Sequence, residues 1–268
     1  MNFSLPISPC RSLDLKSYFS ACSEAGFSHL NLDEEIPHCS YRDRTGRLQL
    51  ISEARSAVLA YDALHLPVTQ EYDITCTDAE TRMGAVVRIA LLMSAARDIG
   101  CRAVILTITH ALPNQYGSDA RSAIHALEGL VETAEIMGIK LAVRNLIESR
   151  SLKTLELVFS EYRSPQFGLC YSPALDLLAR GETCEILKRY SSRLAAATLS
   201  DTDGKSLTDL TPFTGEVDWQ MVCSILSVEQ VSFPLFLNIG YHGLSDITEY
   251  LGLAADAADR FDELLALG

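Results

Sequence analysis

The chain is short of basic charge. Its 22 Lys and Arg face 35 Asp and Glu across 268 residues, a formal balance of −13. A field of that sign repels phosphate backbones, so no nucleic-acid partner is expected, although a few local cations could still hold a small anion. The eight cysteines, at 10, 22, 39, 76, 101, 170, 184 and 223, form no C-x-x-C pair and no short spacing. In a chain of this length they read as buried thiols in a reducing cytosol, not as a disulfide framework or a zinc finger. The segment Met1 to Pro6 lacks a basic stretch followed by a long apolar one, so no secretory signal is expected. No run of about 18 apolar residues exists to cross a membrane. No G-x-G-x-x-G follows the first apolar run, which counts against a dinucleotide-binding fold. No linker, charge block or low-complexity tract divides the chain. These absences together predict a soluble, cytoplasmic protein of one domain, residues 1–268, without a membrane partner.

What is present is alternation. Short apolar runs at 3–7, 29–32, 63–68, 102–107, 140–145, 167–171, 194–199 and 234–239 read as strands. Segments of helical period separate them: 14–25, 48–61, one from the Thr77 cap to 99, 118–137, 152–162, a helix broken around Gly181, 218–226 and 245–265. Thr77-x-x-Glu80 reads as a capping box opening the third helix. Glycines 26, 100 and 138 stop the first, third and fourth helices. Alternating strand and helix implies a parallel sheet, and nearly continuous apolar strands imply burial on both faces. Eight such units in one domain fit a single α/β chain closed as a (β/α)8 TIM barrel, which typically needs roughly 250 residues.

In such a barrel the chemistry sits just after the C-terminal ends of the strands. The polar residues there are Asn31 and the triplet Asp33-Glu34-Glu35, His65, Glu71 and Asp73, Thr109 and His110, Arg144 and Asn145, Ser172, Ser200, Asp201 and Asp203, and Asn238 with Tyr241 and His242. A His in an apolar strand is often only a core residue, but His65 and His110 both stand at strand exits. Two histidines alone do not make a metal centre, which needs three or more protein ligands. Arg144 ends an otherwise apolar strand. It reads either as a structural ion pair with a carboxylate such as Asp201, or as a guanidinium fork for a carboxylate or phosphate ligand.

With these pieces in order, the whole chain resembles the xylose-isomerase-like barrels, the sugar (phosphate) isomerase/epimerase group that includes the apurinic endonucleases. The likeness rests on ALHLPVT around His65, VILTITHALP around His110, AVRNL at 142–146, GLCYSPAL at 168–175, TLSDTDG at 198–204, and the Pro212…Gly215…Asp218-Trp219 loop ending. It implies a small-molecule carbohydrate ligand at the barrel mouth and divalent ions held there by His, Glu and Asp. This sequence departs from that ligand set. His65, His110 and Asp201 match the family pattern. Arg144 stands in place of a glutamate, Ser172 and Leu175 in place of Asp and His, and Thr198 in place of a His. Leu207 and Asp209 replace the Asp and His of the next loop, and Asn238 replaces the last glutamate. Leu donates nothing to a metal and Arg144 sets a fixed cation where the ion's charge would lie. No metal cofactor is therefore expected, with Mn²⁺, Mg²⁺ or Zn²⁺ entering only if other residues rebuild the site.

The expected activity is that of a sugar isomerase or epimerase with an altered mechanism. His65, His110 and Asp201 are then the catalytic candidates, and Arg144, Asn145, Ser172, Asp209 and Asn238 the substrate-binding ones. The alternative is a non-catalytic carbohydrate-binding or regulatory barrel. An apurinic endonuclease-like hydrolase is disfavoured by the charge and the missing ligands. Loops 33–47 and 200–217 are candidates for a lid or a homodimer contact.

Overall fold

In the computed structural model the described residues are 3–33, 35–36, 39–113, 115–207, 209–240 and 246–267. Eight strands pair in chain order and close on themselves: β1 (Phe3–Pro6), β2 (His29–Leu32), β3 (Ala60–His65), β4 (Ala103–Leu106), β5 (Lys140–Arg144), β6 (Phe167–Tyr171), β7 (Leu194–Leu199) and β8 (Leu235–Leu237). Every pairing is parallel, and β8 returns to β1 through Phe3 opposite Leu235 and Ser4 opposite Phe236. The helices form the outer ring: α1 (Leu15–Glu24), α2 (Arg44–Ser56), α3 (Ala79–Ile99), α4 (Ala120–Met137), α5 (Ser149–Glu161), α6 (Pro173–Arg180), α7 (Glu185–Tyr190), α8 (Trp219–Val228) and α9 (Ile247–Leu267). The chain is a single (β/α)8 TIM barrel. Among the described residues no helix is long and apolar enough to cross a membrane.

Aspartate starts most of the long helices. The side chains of Asp14, Asp43, Asp78, Asp119 and Asp218 each accept the backbone N–H three residues on, at 2.6–3.0 Å, satisfying a donor that the helix itself cannot. This moves two expected boundaries. Asp78, not Thr77, caps α3, because the Thr77 hydroxyl donates instead to the Tyr116 carbonyl. The helix expected over 48–61 runs from Arg44 to Ser56, starting at the Asp43 cap and stopping before Val58 at φ 58°. Leu59-Ala60-Tyr61 suits either period, and the chain uses it to enter β3.

Outward side chains of the strands, such as Leu5, Leu30, Leu64, Val104, Leu141, Val143, Leu169 and Leu199, pack against the helices in one large core. The inward side is different. Ala63, Ala103, Ile105, Ala142, Cys170, Ala195 and Ala196 form a separate cluster inside the barrel, and there is no room even for a Cβ at Gly168, which would come within 2.7 Å of the Ala195 Cβ. These small residues leave space along the axis for polar side chains at both ends. At the N-terminal end Arg102 fills it. Its Nε donates to Asp62 at 3.0 Å, its Nη1 donates to the Ala195 carbonyl across the barrel at 2.7 Å, and its guanidinium carbon lies 4.6 Å from the Phe233 ring centre. Burial pushes the Asp62 carboxyl up, and Arg102 draws it part of the way back.

Candidate functional site

Strand periodicity carries the alanine layer upward into a polar one. Side chains two residues apart share a face, so Ala63 leads to His65, Ala142 to Arg144, Ala196 to Thr198, and Ile105 to Thr107. All four line a cavity of about 280 Å³ at the C-terminal mouth, together with Phe236 and Asn238 of the last strand and its exit, and Asp33 and Asp209 from the loops after β2 and β7. Three larger hollows lie elsewhere: one of about 470 Å³ against Trp219 and Arg260 outside the barrel, one of about 560 Å³ near Ser28, Val58 and Gly100, and one of about 320 Å³ between Gln70, Thr81 and Tyr116. None of them gathers side chains from the C-terminal strand ends, so the smaller mouth cavity is the candidate site.

Arg144 supplies the cavity's cation, in a lining that also holds the carboxylates Asp33 and Asp209. Its Nε is buried with no hydrogen-bond partner, and no ion pair to Arg144 occurs among the described residues. The ion pair with Asp201 weighed in the sequence does not form. His65 stands beside it, its ring 5.1 Å from that of Phe236. Burial first, and then the Arg144 guanidinium, hold the imidazole down to about 3, so His65 is neutral at any physiological pH. A neutral imidazole gives and accepts one hydrogen bond each; it is a weak base. Asp209, at φ 39°, accepts the Ser200 hydroxyl at 3.0 Å through one oxygen. Asp33 spends one oxygen on the backbone N–H groups of Ile7 and Ser8, at 2.8 and 3.1 Å.

The remaining candidates lie apart from this cavity. Asp201 is fully buried, and its carboxylate ties a loop together: Oδ1 accepts from Thr202 N and Val217 N at 2.9 and 3.0 Å, and Oδ2 from Trp219 Nε1 at 2.8 Å. Its backbone also pairs with Leu210 in both directions. Asn145 is buried and couples β5 to the exit of β6, donating to the Ser172 carbonyl at 2.9 Å and accepting the Ser172 N–H at 2.7 Å. Ser172 is thereby fixed at the start of α6. His110 has both ring nitrogens engaged by hydroxyls, Ser118 at 3.1 Å and Thr154 at 2.8 Å. Burial, with Arg150 next, lowers its pKa. Glu34, Tyr241 and His242 lie outside the described residues. Thr107 and Phe236 went unnamed in the sequence, although inward period-two positions in VILT and PLFLN would have found both.

Whether a divalent ion suits this mouth follows from its donors. Among the described residues no group of three or more His, Cys, Asp or Glu side chains converges. Of the lining residues His65, Asp33 and Asp209 are the imidazole and carboxylate donors, and a guanidinium shares their cavity. This donor set does not fit a divalent ion.

A family model described as "Xylose isomerase-like TIM barrel" matches residues 19–261. The chain belongs to that family. A Sinorhizobium fredii (strain NBRC 101917 / NGR234) relative, uncharacterized protein y4fM, is 28% identical over 133 residues, which make up 48% of this chain and 42% of the relative. The match thus spans less than half of that relative's length. Among solved structures, a D-tagatose 3-epimerase-like protein superposes with a TM-score of 0.80 at 16% identity, covering 99% of this chain and 98% of the other. The D-psicose 3-epimerase of Clostridium cellulolyticum H10, solved with D-tagatose, superposes with a TM-score of 0.76 at 12% identity, covering 99% of each chain. At such identities these superpositions establish the shared barrel.

Proposed function

We propose that this xylose isomerase-like barrel binds a small polyhydroxylated or anionic carbohydrate at its C-terminal mouth and serves as a sugar isomerase or epimerase whose chemistry is not built on a divalent metal. One observation carries the reading: the mouth cavity collects a guanidinium, an imidazole, two carboxylates, an amide and two hydroxyls from different strands and loops in about 280 Å³. Ligand pockets of about 300–1,000 Å³ hold drug-sized molecules, so this one suits a single monosaccharide. Support also comes from the structural neighbours, whose names specify ketose 3-epimerases.

Isomerisation or epimerisation moves a proton on a carbon next to a carbonyl. In this cavity the charged Arg144 and the neutral His65 suit the task of polarising the carbonyl oxygen, and Asp209 is the carboxylate placed to exchange the proton. A second reading, a binding protein without turnover, is favoured by the state of two catalytic candidates: Asp201 spends its carboxylate on its own loop, and both His110 nitrogens are occupied. Incubating the protein with a panel of ketoses and aldoses in D₂O separates the two. Deuterium incorporation at carbon, lost in Asp209→Asn, is expected of the isomerase or epimerase; calorimetric binding without incorporation selects the binder. No binding by any sugar or sugar derivative discards the mouth as a carbohydrate site.

A further inference from the structure

The strongest unmet demand in the molecule is the charge of Arg144. Arg144 is half-buried, and its Nε is shut off from water without an acceptor; a buried polar atom left unpaired carries a desolvation cost, and guanidinium does not shed it by deprotonating. The chain supplies no relief among its described residues. Nε has no acceptor, no carboxylate forms an ion pair with the group, and the two carboxylates lining the cavity direct an oxygen elsewhere, Asp33 to Ile7 N and Ser8 N, Asp209 to the Ser200 hydroxyl. An acceptor from outside would meet a fixed, pre-placed donor fork.

The rest of the lining narrows the anion. Arg144 is the one cationic side chain among the residues that line the cavity, His65 being neutral. One guanidinium matches one negative charge, and its edge presents parallel N–H donors to the two oxygens of a planar carboxylate. A phosphate ester brings close to two charges and three oxygens, and here it would find no second cation and two aspartates lining the same space. Those aspartates suit hydroxyl groups instead, as acceptors of O–H donors. Thr107, Thr198 and Asn238 add groups that both give and accept hydrogen bonds.

Building on the reading of the mouth as a carbohydrate site, we infer that the ligand is a monosaccharide-sized polyhydroxy carboxylate, a sugar acid, with its carboxylate on Arg144 and its hydroxyls on Thr198, Asn238 and Asp209. The guanidinium fixes the acid end of the ligand near the barrel axis, and the acidic loops receive the polyol end.

Isothermal titration of the full chain with D-gluconate, D-glucuronate, D-fructose and D-fructose 6-phosphate tests this. The sugar acids are expected to bind at least roughly tenfold tighter than fructose and tighter than the phosphate ester, as one charge-assisted fork requires. Arg144→Met should weaken the acids by roughly 10- to 100-fold, and by more than it weakens fructose, while Arg144→Lys recovers part of the loss because it restores charge without the fork. Thermal unfolding of each variant checks that it is folded. Equal affinity for fructose and the acids, tighter binding of the phosphate ester, or acid binding indifferent to Arg144→Met would overturn the carboxylate inference and leave the mouth as a neutral-sugar or phosphate site. If none of the four ligands binds, both the inference and the reading beneath it fall.

Discussion

The barrel holds one half-buried arginine at each end, each with one nitrogen lacking a partner, Nη2 of Arg102 and Nε of Arg144, yet the two are otherwise treated differently. At the N-terminal end Arg102 is given a carboxylate, a carbonyl and an aromatic face. At the C-terminal end Arg144 receives none of these from the described residues, and its Nε is left without an acceptor. The same side chain is a plug where partners come with the fold and an unsatisfied charge where they do not. A folded chain tolerates such a group at a cost, which in the proposed reading is recovered when a ligand supplies the missing half. The difference between the ends therefore separates what the barrel needs in order to stand from what it holds ready for something else.

The largest expected effect tests the floor. Asp62→Ala removes the partner of Arg102 and should lower stability by about 3 kcal/mol in urea unfolding, the low end for breaking a buried pair because the Arg102 side chain keeps 31% of its exposure while Asp62 keeps 3%. A loss below about 0.5 kcal/mol, the range of ordinary surface changes, would mean that the floor pair is not structural and that the contrast fails.

Next comes pH, read at the mouth. His65 is pushed below its unfolded value, so between about 6.5 and about 3 the unfolded chain binds a proton that the folded chain refuses. The contribution of His65 to stability is therefore complete above pH 6.5 and is lost as pH falls through that window. An NMR titration of the His65 ring in Arg144→Met should show the midpoint moving upward, though not back to the ordinary value, because burial is the larger cause. An unmoved midpoint would show that the guanidinium does not reach the imidazole.

The smallest effect is the most pointed. Arg144→Met should leave unfolding free energy at pH 7 within about 0.5 kcal/mol of the parent, or raise it, since removing an unpaired buried charge costs no interaction. A loss of more than 1 kcal/mol would reveal a stabilising partner and make the two arginines alike.

The pattern of the barrel was open to reading because each of its signals is local. Strands 167–171 and 194–199 fall where their apolar runs stand, and Gly100 and Gly138 end their helices in the left-handed conformation. The entry to α2 was less legible, since Asp43 lies in a polar loop full of other caps, and only tertiary packing selects it. At the site, reading strand ends located Arg144, His65, Asp209 and Asn238 in one cavity, yet placed Asn145, Ser172 and Asp201 beside them in sequence alone. Asn145 follows Arg144 directly and so faces the other way, toward Ser172. The partners that hold Asp201, Val217 and Trp219, are 16 and 18 residues away; no period or spacing announces a bond across that loop. His110 is engaged from α5, 44 residues on, for the same reason.

The ring of alanines has a consequence for how such a protein can change. Beneath the mouth, Ala63, Ala142 and Ala196 belong to a layer of small side chains, and in the proposed reading the height of that layer sets how deep one end of a guest descends. Enlarging one alanine to valine raises it by a single carbon layer and favours shorter guests; trimming one to glycine lowers it and admits longer ones. For the proposed sugar-acid guest, length is then adjustable from below, by apolar exchanges.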